Sequence, residues 1–179
     1  QDDSASACTQ LSACLTLAEQ WADISQEPVA VPCMEEAVLS FLRSCEVLTS
    51  DWKQMLEQAA NASELENLLA YTPALDQEIR LFTMDMLYRY YLRAAYAETP
   101  EAEILPLQMA AFSVCVVLLY SRRLGFHTAE QRLRIWQLFV KEIEYDGDNL
   151  EELEWQLETN AAFSPAAFRA YFASLGGVQ

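Results

Sequence analysis

Apolar residues recur at helical spacing along almost the whole chain. Steps of three and four residues place them on one face of successive helices. Sustained alternation of apolar and polar residues, which is typical of strands, does not occur in the sequence. Pro, Gly and capping residues divide the pattern into segments joined by short connections. We therefore predict an all-α fold, an irregular bundle of about eight helices with antiparallel neighbours.

Capping and breaking residues predict where these helices begin and end. Ser4 or Ser6 can cap the first helix, whose apolar residues are Leu11, Cys14, Leu15, Ala18 and Trp21. Ser63 with Glu66, and Thr128 with Gln131, have the spacing of capping boxes. Pro28 and Pro32 prevent a helix from continuing through the first loop. The main predicted helices are 4–25, 34–48, 52–60, 74–97, 100–124, 128–145, 148–157 and 165–175.

The helix that includes residues 81–96 is predicted to be the centre of the fold. Residues 81–96 carry large apolar side chains on nearly every face, as a helix surrounded by other helices does. We predict a central helix from about residue 74 to 97, packed against an apolar helix from about 101 to 124. The chain is then a single helical domain of residues 1–179, in which 1–33 form an N-terminal helix and loop and 34–179 the main bundle.

The charge of the chain restricts its partners. With 27 acidic and 11 basic residues the net charge is −16, which repels phosphate backbones and anionic membranes. The most apolar run, residues 104–120, is 17 residues long, and a membrane-spanning helix needs about 20. We therefore expect neither nucleic acid nor a membrane as partner, whereas a protein partner fits. The chain starts at Gln1 and shows no signal peptide, so a processed chain or a fragment is expected.

The five cysteines do not form a recognisable metal or disulfide pattern. Cys8, Cys14, Cys33, Cys45 and Cys115 include no Cys-x-x-Cys pair, and the chain has one histidine. Their spacing matches neither zinc sites nor iron–sulfur clusters. We interpret them as small buried residues in a reducing compartment, which predicts a cytoplasmic protein without a bound metal.

No catalytic, cofactor-binding or metal-binding group is predicted from the residues alone. His127, the single histidine, has no nucleophile pattern beside it, and there is no glycine-rich phosphate loop. The acidic residues from Glu142 to Glu158 lack the spacing of a calcium loop. We interpret this acidic tract as a helix end, a cap and a solvated face.

One face of the central helix is the best candidate for a contact surface. Asp85, Arg89 and Arg93 follow one another at four-residue steps, so they share a helix face. A purely structural ion pair is the favoured interpretation. The alternative is a polar face that contacts a substrate or partner, in which aromatic rings hold a lysine by cation–π attraction. Its residues are Asp85, Tyr88, Arg89 and Arg93.

Several segments resemble the C-terminal helical part of the flagellin lysine-N-methylase family. The first is residues 87–93 (Leu-Tyr-Arg-Tyr-Tyr-Leu-Arg), followed by an apolar helix. Residues 141–145 (Lys-Glu-Ile-Glu-Tyr) and 149–151 (Asn-Leu-Glu) come next, and residues 41–48 with Asp51-Trp52 are similar to an upstream stretch. The resemblance covers roughly residues 36–163.

Members of that family carry an N-terminal cysteine-cluster domain, to which an iron–sulfur centre is attributed, and methylate flagellin lysines with S-adenosylmethionine. The resemblance implies that this chain is the helical companion of such a domain, with flagellin or that domain as its partner. The cysteines here do not reproduce the cluster, so no catalytic residue is carried across. The iron–sulfur cluster and S-adenosylmethionine are expected only in a full-length parent. Two alternatives stay open: a stand-alone acidic interaction domain and a helical bundle that binds an apolar ligand.

Overall fold

The computed structural model describes residues 5–22, 34–62, 71–96 and 99–175. Within these ranges there are eight α-helices, a π-helix and a 3-10 turn, and no strand, which confirms the predicted all-α bundle. The helices are α1 (Ala7–Trp21), α2 (Met34–Ser44), α3 (Ser50–Asn61), α4 (Pro73–Ala95), α5 (Pro100–Leu124), α6 (Ala129–Phe139), α7 (Gly147–Thr159) and α8 (Pro165–Leu175). The π-helix is Val140–Glu144, and the 3-10 turn is Ala161–Phe163.

Helix α5 is the centre of the fold. Every residue from 109 to 120 is buried, and all seven other α-helices pack against α5. Thr99 caps its start by accepting a hydrogen bond from the Ala102 N–H. Gly125 ends it with a φ of 65°, a left-handed conformation that glycine adopts without the Cβ penalty of other residues. The predicted bounds of this helix are therefore confirmed.

Helix α5 also has the length and composition of a membrane-crossing helix. Ala102–Leu124 spans 23 residues with a mean hydropathy of 2.0, which is longer than the apolar run counted from the sequence. However, 83% of the apolar window is buried inside the fold. The core helix of a soluble protein has these same properties, so the burial of α5 accounts for its hydropathy.

Helix α4 packs on α5 but is not surrounded. Its inner residues follow one another at steps of three and four and are buried. They are Leu75, Ile79, Phe82, Met86 and Tyr90. The opposite face exposes the large apolar side chains of Leu81, Met84, Tyr88 and Leu92. The predicted packing of α4 against α5 is confirmed, whereas the expectation that α4 is the enclosed central helix is wrong, because α5 has that position.

The N-terminal helix buries a face that differs in part from the predicted one. Leu11 and Leu15 are buried as expected, but Cys14 and Trp21 are exposed. The helix is fixed at both ends by polar contacts: the Ala7 N–H donates to Asp76 on α4 at 2.6 Å, and Glu19 pairs with Arg169 on α8. The buried face therefore follows these contacts rather than the apolar stripe that includes Trp21.

The other predicted caps and helix ends agree with the structure only in part. Ser6 is the N-cap of α1, and Thr128 and Gln131 form the predicted capping box. Helix α2 ends at Ser44 and not at residue 48, because the N–H groups of Glu46 and Leu48 donate to side chains elsewhere in the fold. The predictions for Pro28, Pro32, Cys33 and the Ser63–Glu66 box lie outside the described residues.

Four of the five cysteines belong to the described residues, and their surroundings differ. Cys8 and Cys115 are buried, Cys45 is half-buried and Cys14 is exposed. Burial raises the pKa of Cys8 to about 11 and that of Cys45 to about 12, because it disfavours the charged thiolate. The interpretation as buried residues is thus confirmed for Cys8 and Cys115 and wrong for Cys14.

We expect iodoacetamide to alkylate Cys14 well before Cys8 in the folded protein. A rise in pKa from 9.0 to about 11 lowers the thiolate fraction of Cys8 by about 100-fold, and the thiolate is the reactive form. Peptide mass spectrometry after brief labelling measures the two rates. The control is the same reaction in guanidinium chloride, where both react alike. Equal native rates would contradict the placement of Cys8 in the core.

Candidate functional site

Three charged side chains form a group at the predicted contact face. Two of them are on α4 and the third is on the π-helix. Nη2 of Arg89 lies 3.0 Å from Oδ2 of Asp85, one turn earlier on the same helix. Nη1 of Arg89 donates to Oε2 of Glu144 at 3.0 Å. The Glu144 side chain is only 6% exposed, against 35% for Arg89 and 40% for Asp85. We call these three residues the Arg89 group; it carries two carboxylates for one guanidinium.

Burial and the neighbouring charges act in opposite directions on the pKa of Glu144 and on that of Arg89, and both pKa values are raised. Burial raises the pKa of Glu144, and this effect exceeds the lowering by the charge of Arg89. Burial works to lower the pKa of Arg89, but the hydrogen bond with Asp85 and the charge of Glu144 outweigh it and raise that pKa. Arg89 is therefore a permanent cation. An exposed pair such as Asp85–Arg89 alone contributes only about 0.3–0.5 kcal/mol, so Glu144 is what fixes the position of Arg89.

The two remaining predicted contact residues have different positions. Tyr88 precedes Arg89 and is 87% exposed, so its ring is available to a partner. Arg93 lies one turn further along α4, but its side chain is outside the part of the chain that the structure describes. The structure thus brings Asp85 and Arg89 together, adds Glu144, and leaves Tyr88 on the surface.

An exposed apolar stripe runs along the same side of α4. Its residues follow one another at steps of three, four and four, and are between 57% and 87% exposed. At about 100° per residue they fall within an arc of about 80°. We call them the α4 stripe: Leu81, Met84, Tyr88 and Leu92. Asp85 and Arg89 lie along one edge of this arc. A contiguous exposed apolar surface is typical of interaction sites.

The π-helix keeps α6 in register with α4. Three contacts join the two segments in order: Glu78 with Arg132, Phe82 with Trp136, and Arg89 with Glu144. This order shows that the two segments run parallel. From the second contact to the third, α4 advances by seven residues and the other segment by eight. The wide π turn takes up the additional residue, and Glu144 can therefore reach Arg89.

The π-helix also turns Glu142 into the core. Glu142 is fully buried, and its carboxylate accepts hydrogen bonds from the Leu48 N–H at 2.7 Å and from the Thr49 hydroxyl. Thr49 in turn caps α3 by accepting from the Trp52 N–H at 3.3 Å. The interpretation of the acidic tract as a solvated face is therefore wrong for Glu142 and for Glu144.

Asn149 completes the junction between the π-helix and the α2–α3 loop. Its side-chain amide accepts from the Glu46 N–H at 2.8 Å. It donates to the carbonyl oxygens of Glu46 at 2.9 Å and Glu142 at 2.8 Å. We call Glu142 and Asn149, with the loop backbone that they bind, the π junction. The sequence did offer one signal for it, because Glu142 stands between the apolar residues Val140 and Ile143.

No metal centre is found in the part of the chain that the structure describes. No three His, Cys, Asp or Glu side chains there are grouped to hold a metal ion, and His127 is exposed. A groove of about 470 Å³ lies beside α2, and four of its five lining residues are polar. Its lining residues are Glu36, Leu39, Ser40, Arg43 and Ser44. This lining does not suit an apolar ligand.

No protein-family model matches the chain, and no curated protein or solved structure matches it.

Proposed function

We propose that the chain is the helical companion domain of a flagellin lysine-N-methylase-like protein. In this proposal it docks a catalytic cysteine-cluster domain, or presents the substrate to it, and has no methylating activity by itself. One observation carries the proposal. The segments that resemble the family are far apart in the sequence, yet they meet at the π junction and the Arg89 group.

The contacts between these segments are specific hydrogen bonds. Residues 41–48 end in the loop whose N–H groups donate to Glu142 and Asn149. The 141–145 segment supplies Glu142 to this loop and Glu144 to Arg89 of the 87–93 segment. Glu46 and Asn149 lie 103 positions apart, and Arg89 and Glu144 lie 55 apart. These contacts join the segments into one connected unit, as the proposal requires of a companion domain.

The catalytic domain and this chain have different roles in the proposal. S-adenosylmethionine and the iron–sulfur centre belong, in this proposal, to the partner domain. This chain contributes a rigid surface: α4 is held by Arg132, which donates to both carboxylate oxygens of Glu78 at 2.6 and 2.8 Å. The exposed α4 stripe on that helix then supplies the contact area.

The proposal is tested by reconstitution in two pieces. A flagellin lysine-N-methylase is truncated to its cysteine-cluster domain and expressed with flagellin, with or without this chain as a separate polypeptide. We expect the chain to copurify with the truncated enzyme and to restore lysine methylation, measured by mass spectrometry of flagellin peptides. The enzyme's own helical region, supplied in the same way, is the positive control.

Failure has a definite meaning in this design. If the enzyme's own helical region restores methylation and this chain neither copurifies nor restores it, the companion-domain proposal is wrong. A Glu158→Ala variant of this chain is a further control. Glu158 is an exposed acid on α7, outside the π junction and the Arg89 group, so its replacement should leave the restoration of methylation unchanged.

A stand-alone protein-interaction domain is the second candidate, and the α4 stripe is the observation that favours it. It predicts a partner for α4 without any effect on methylation. The third interpretation, an apolar-ligand bundle, has less support, because aromatic rings fill the space around α5: the ring of Phe112 lies 5.4 Å from that of Phe41 and 5.2 Å from that of Phe163.

A further inference from the structure

We infer that the α4 stripe docks an amphipathic helix of a partner protein, and that this helix carries Lys or Arg along one edge of its apolar face. The inference rests on the proposed function only in requiring that the chain has a protein partner. It specifies the surface, the secondary structure of the occupant and the sign of its charge.

The size of the surface fits a helix. Large side chains offer roughly 100–200 Å² each, so the α4 stripe together with the exposed Tyr96 presents on the order of 600 Å² of apolar area. This is at the upper end for a monomer surface and approaches the roughly 800 Å² per partner of a specific interface. The area is also linear. From residue 81 to 96 it extends about 22 Å at about 1.5 Å per residue, and helical partners place anchors at such spacings.

The charge at the edge of the stripe favours a basic occupant. The Arg89 group has two carboxylates and one guanidinium, whose two terminal nitrogens are already engaged by Asp85 and Glu144. Among these three side chains one negative charge is therefore unbalanced, on a chain whose net charge is −16. A Lys or Arg on a docked helix can approach the 40%-exposed Asp85 while its stem lies on the Tyr88 ring, an arrangement that cation–π attraction stabilises.

A second copy of this chain suits the surface less well. The stripe is nearly symmetric about Tyr88, since Met84 and Leu92 each lie four residues from it, and this spacing would allow antiparallel pairing of two α4 helices. However, each copy would bring the same excess of negative charge along the edge and a net charge of −16. Like charges placed together oppose such an interface.

Three synthetic peptides of about five helical turns test the inference with the full chain. The first has a Leu/Ala apolar face with Lys along one edge; the second replaces each Lys with Glu; the third is a scramble of the first without an apolar face. Fluorescence anisotropy gives each Kd. We expect the Lys peptide to bind at least about tenfold more tightly than the scramble or the Glu peptide, a difference well within reach of a few contacts.

Two matched variants separate docking from general attraction to an acidic protein. Tyr88→Glu and Trp155→Glu each add one negative charge at an exposed aromatic residue, the first in the α4 stripe and the second on α7. Docking at α4 predicts that Tyr88→Glu weakens binding of the Lys peptide by at least about tenfold, whereas Trp155→Glu changes it by less than about twofold. General attraction predicts that both variants bind slightly more tightly.

Other outcomes overturn the inference. Equal binding of the Lys peptide and its scramble, or unchanged binding by the Tyr88→Glu variant, would remove the α4 stripe as the site. A dimer in sedimentation experiments that Tyr88→Glu abolishes would assign the stripe to a second copy. Restored methylation that is insensitive to Tyr88→Glu would leave the companion-domain proposal intact and overturn this inference. Peptide docking at α4 without restored methylation would leave this inference intact and overturn the companion-domain proposal.

Discussion

Replacing Glu142 with alanine is expected to lower the free energy of unfolding by about 3 kcal/mol, because buried groups that lose a charged partner keep their desolvation penalty. The substitution removes the acceptor of the Leu48 N–H and of the Thr49 hydroxyl, and Glu142 itself is fully buried. Urea denaturation followed by circular dichroism measures the change. Hydrogen exchange at the Leu48 amide gives a local readout, and its protection should fall with the substitution.

The sign of this effect distinguishes the π junction from general electrostatics. The chain carries a net charge of −16, so the removal of any carboxylate reduces self-repulsion, which by itself is stabilising. The control Glu158→Ala removes an exposed acid on α7 and should change stability by less than about 0.5 kcal/mol. If Glu142→Ala behaves like this control, Glu142 does not hold the α2–α3 loop.

A comparable loss is expected when Phe112 on α5 is replaced with alanine. Deletion of a fully buried aromatic ring costs about 3–5 kcal/mol, through lost transfer energy and the cavity left behind. Phe112 is fully buried and makes edge-on contacts with Phe41 and Phe163 at 5.4 and 5.2 Å. The same urea experiment measures the loss of stability. Benzene should partly restore it if a dry apolar cavity forms.

Tyr88→Ala is the matched control for this substitution. It also removes an aromatic ring, but from a side chain that is 87% exposed, and surface changes of this kind stay within about 0.5 kcal/mol. A loss below about 1 kcal/mol for Phe112→Ala would show that the aromatic cluster relaxes around the missing ring. A large loss for Tyr88→Ala would mean that the α4 stripe is covered rather than available to a partner.

Local signals predicted the ends of several helices well. Ser6, Thr128 and Gln131 have the predicted roles, because a cap depends on the hydrogen bonds of a few neighbouring residues. The end of α2 was not predictable in this way. The Glu46 and Leu48 N–H groups donate to Asn149 and Glu142, about a hundred residues away, and no local pattern contains that information.

The candidate site was only partly predictable. The four-residue spacing predicts the Asp85–Arg89 pair, and the pair is present. Glu144 was missed, because its approach to Arg89 depends on the register between two helices. The exposure of the α4 stripe was missed too. A helix with apolar side chains on two opposite faces has the same sequence pattern whether one of these faces is buried or both are. Only the arrangement of α5 and α6 decides which face is covered.

The π-helix has a consequence for comparing this chain with others. Between the Phe82–Trp136 and Arg89–Glu144 contacts one segment is a residue longer than the other, as if one residue had been inserted into a regular helix. The wide turn confines that insertion, so α7 and Asn149 keep their places. A relative with an unbroken α-helix here should be one residue shorter and should need a single gap between positions 140 and 144. In an alignment without that gap, the residue of the relative that is equivalent to Glu144 would be placed opposite Ile143.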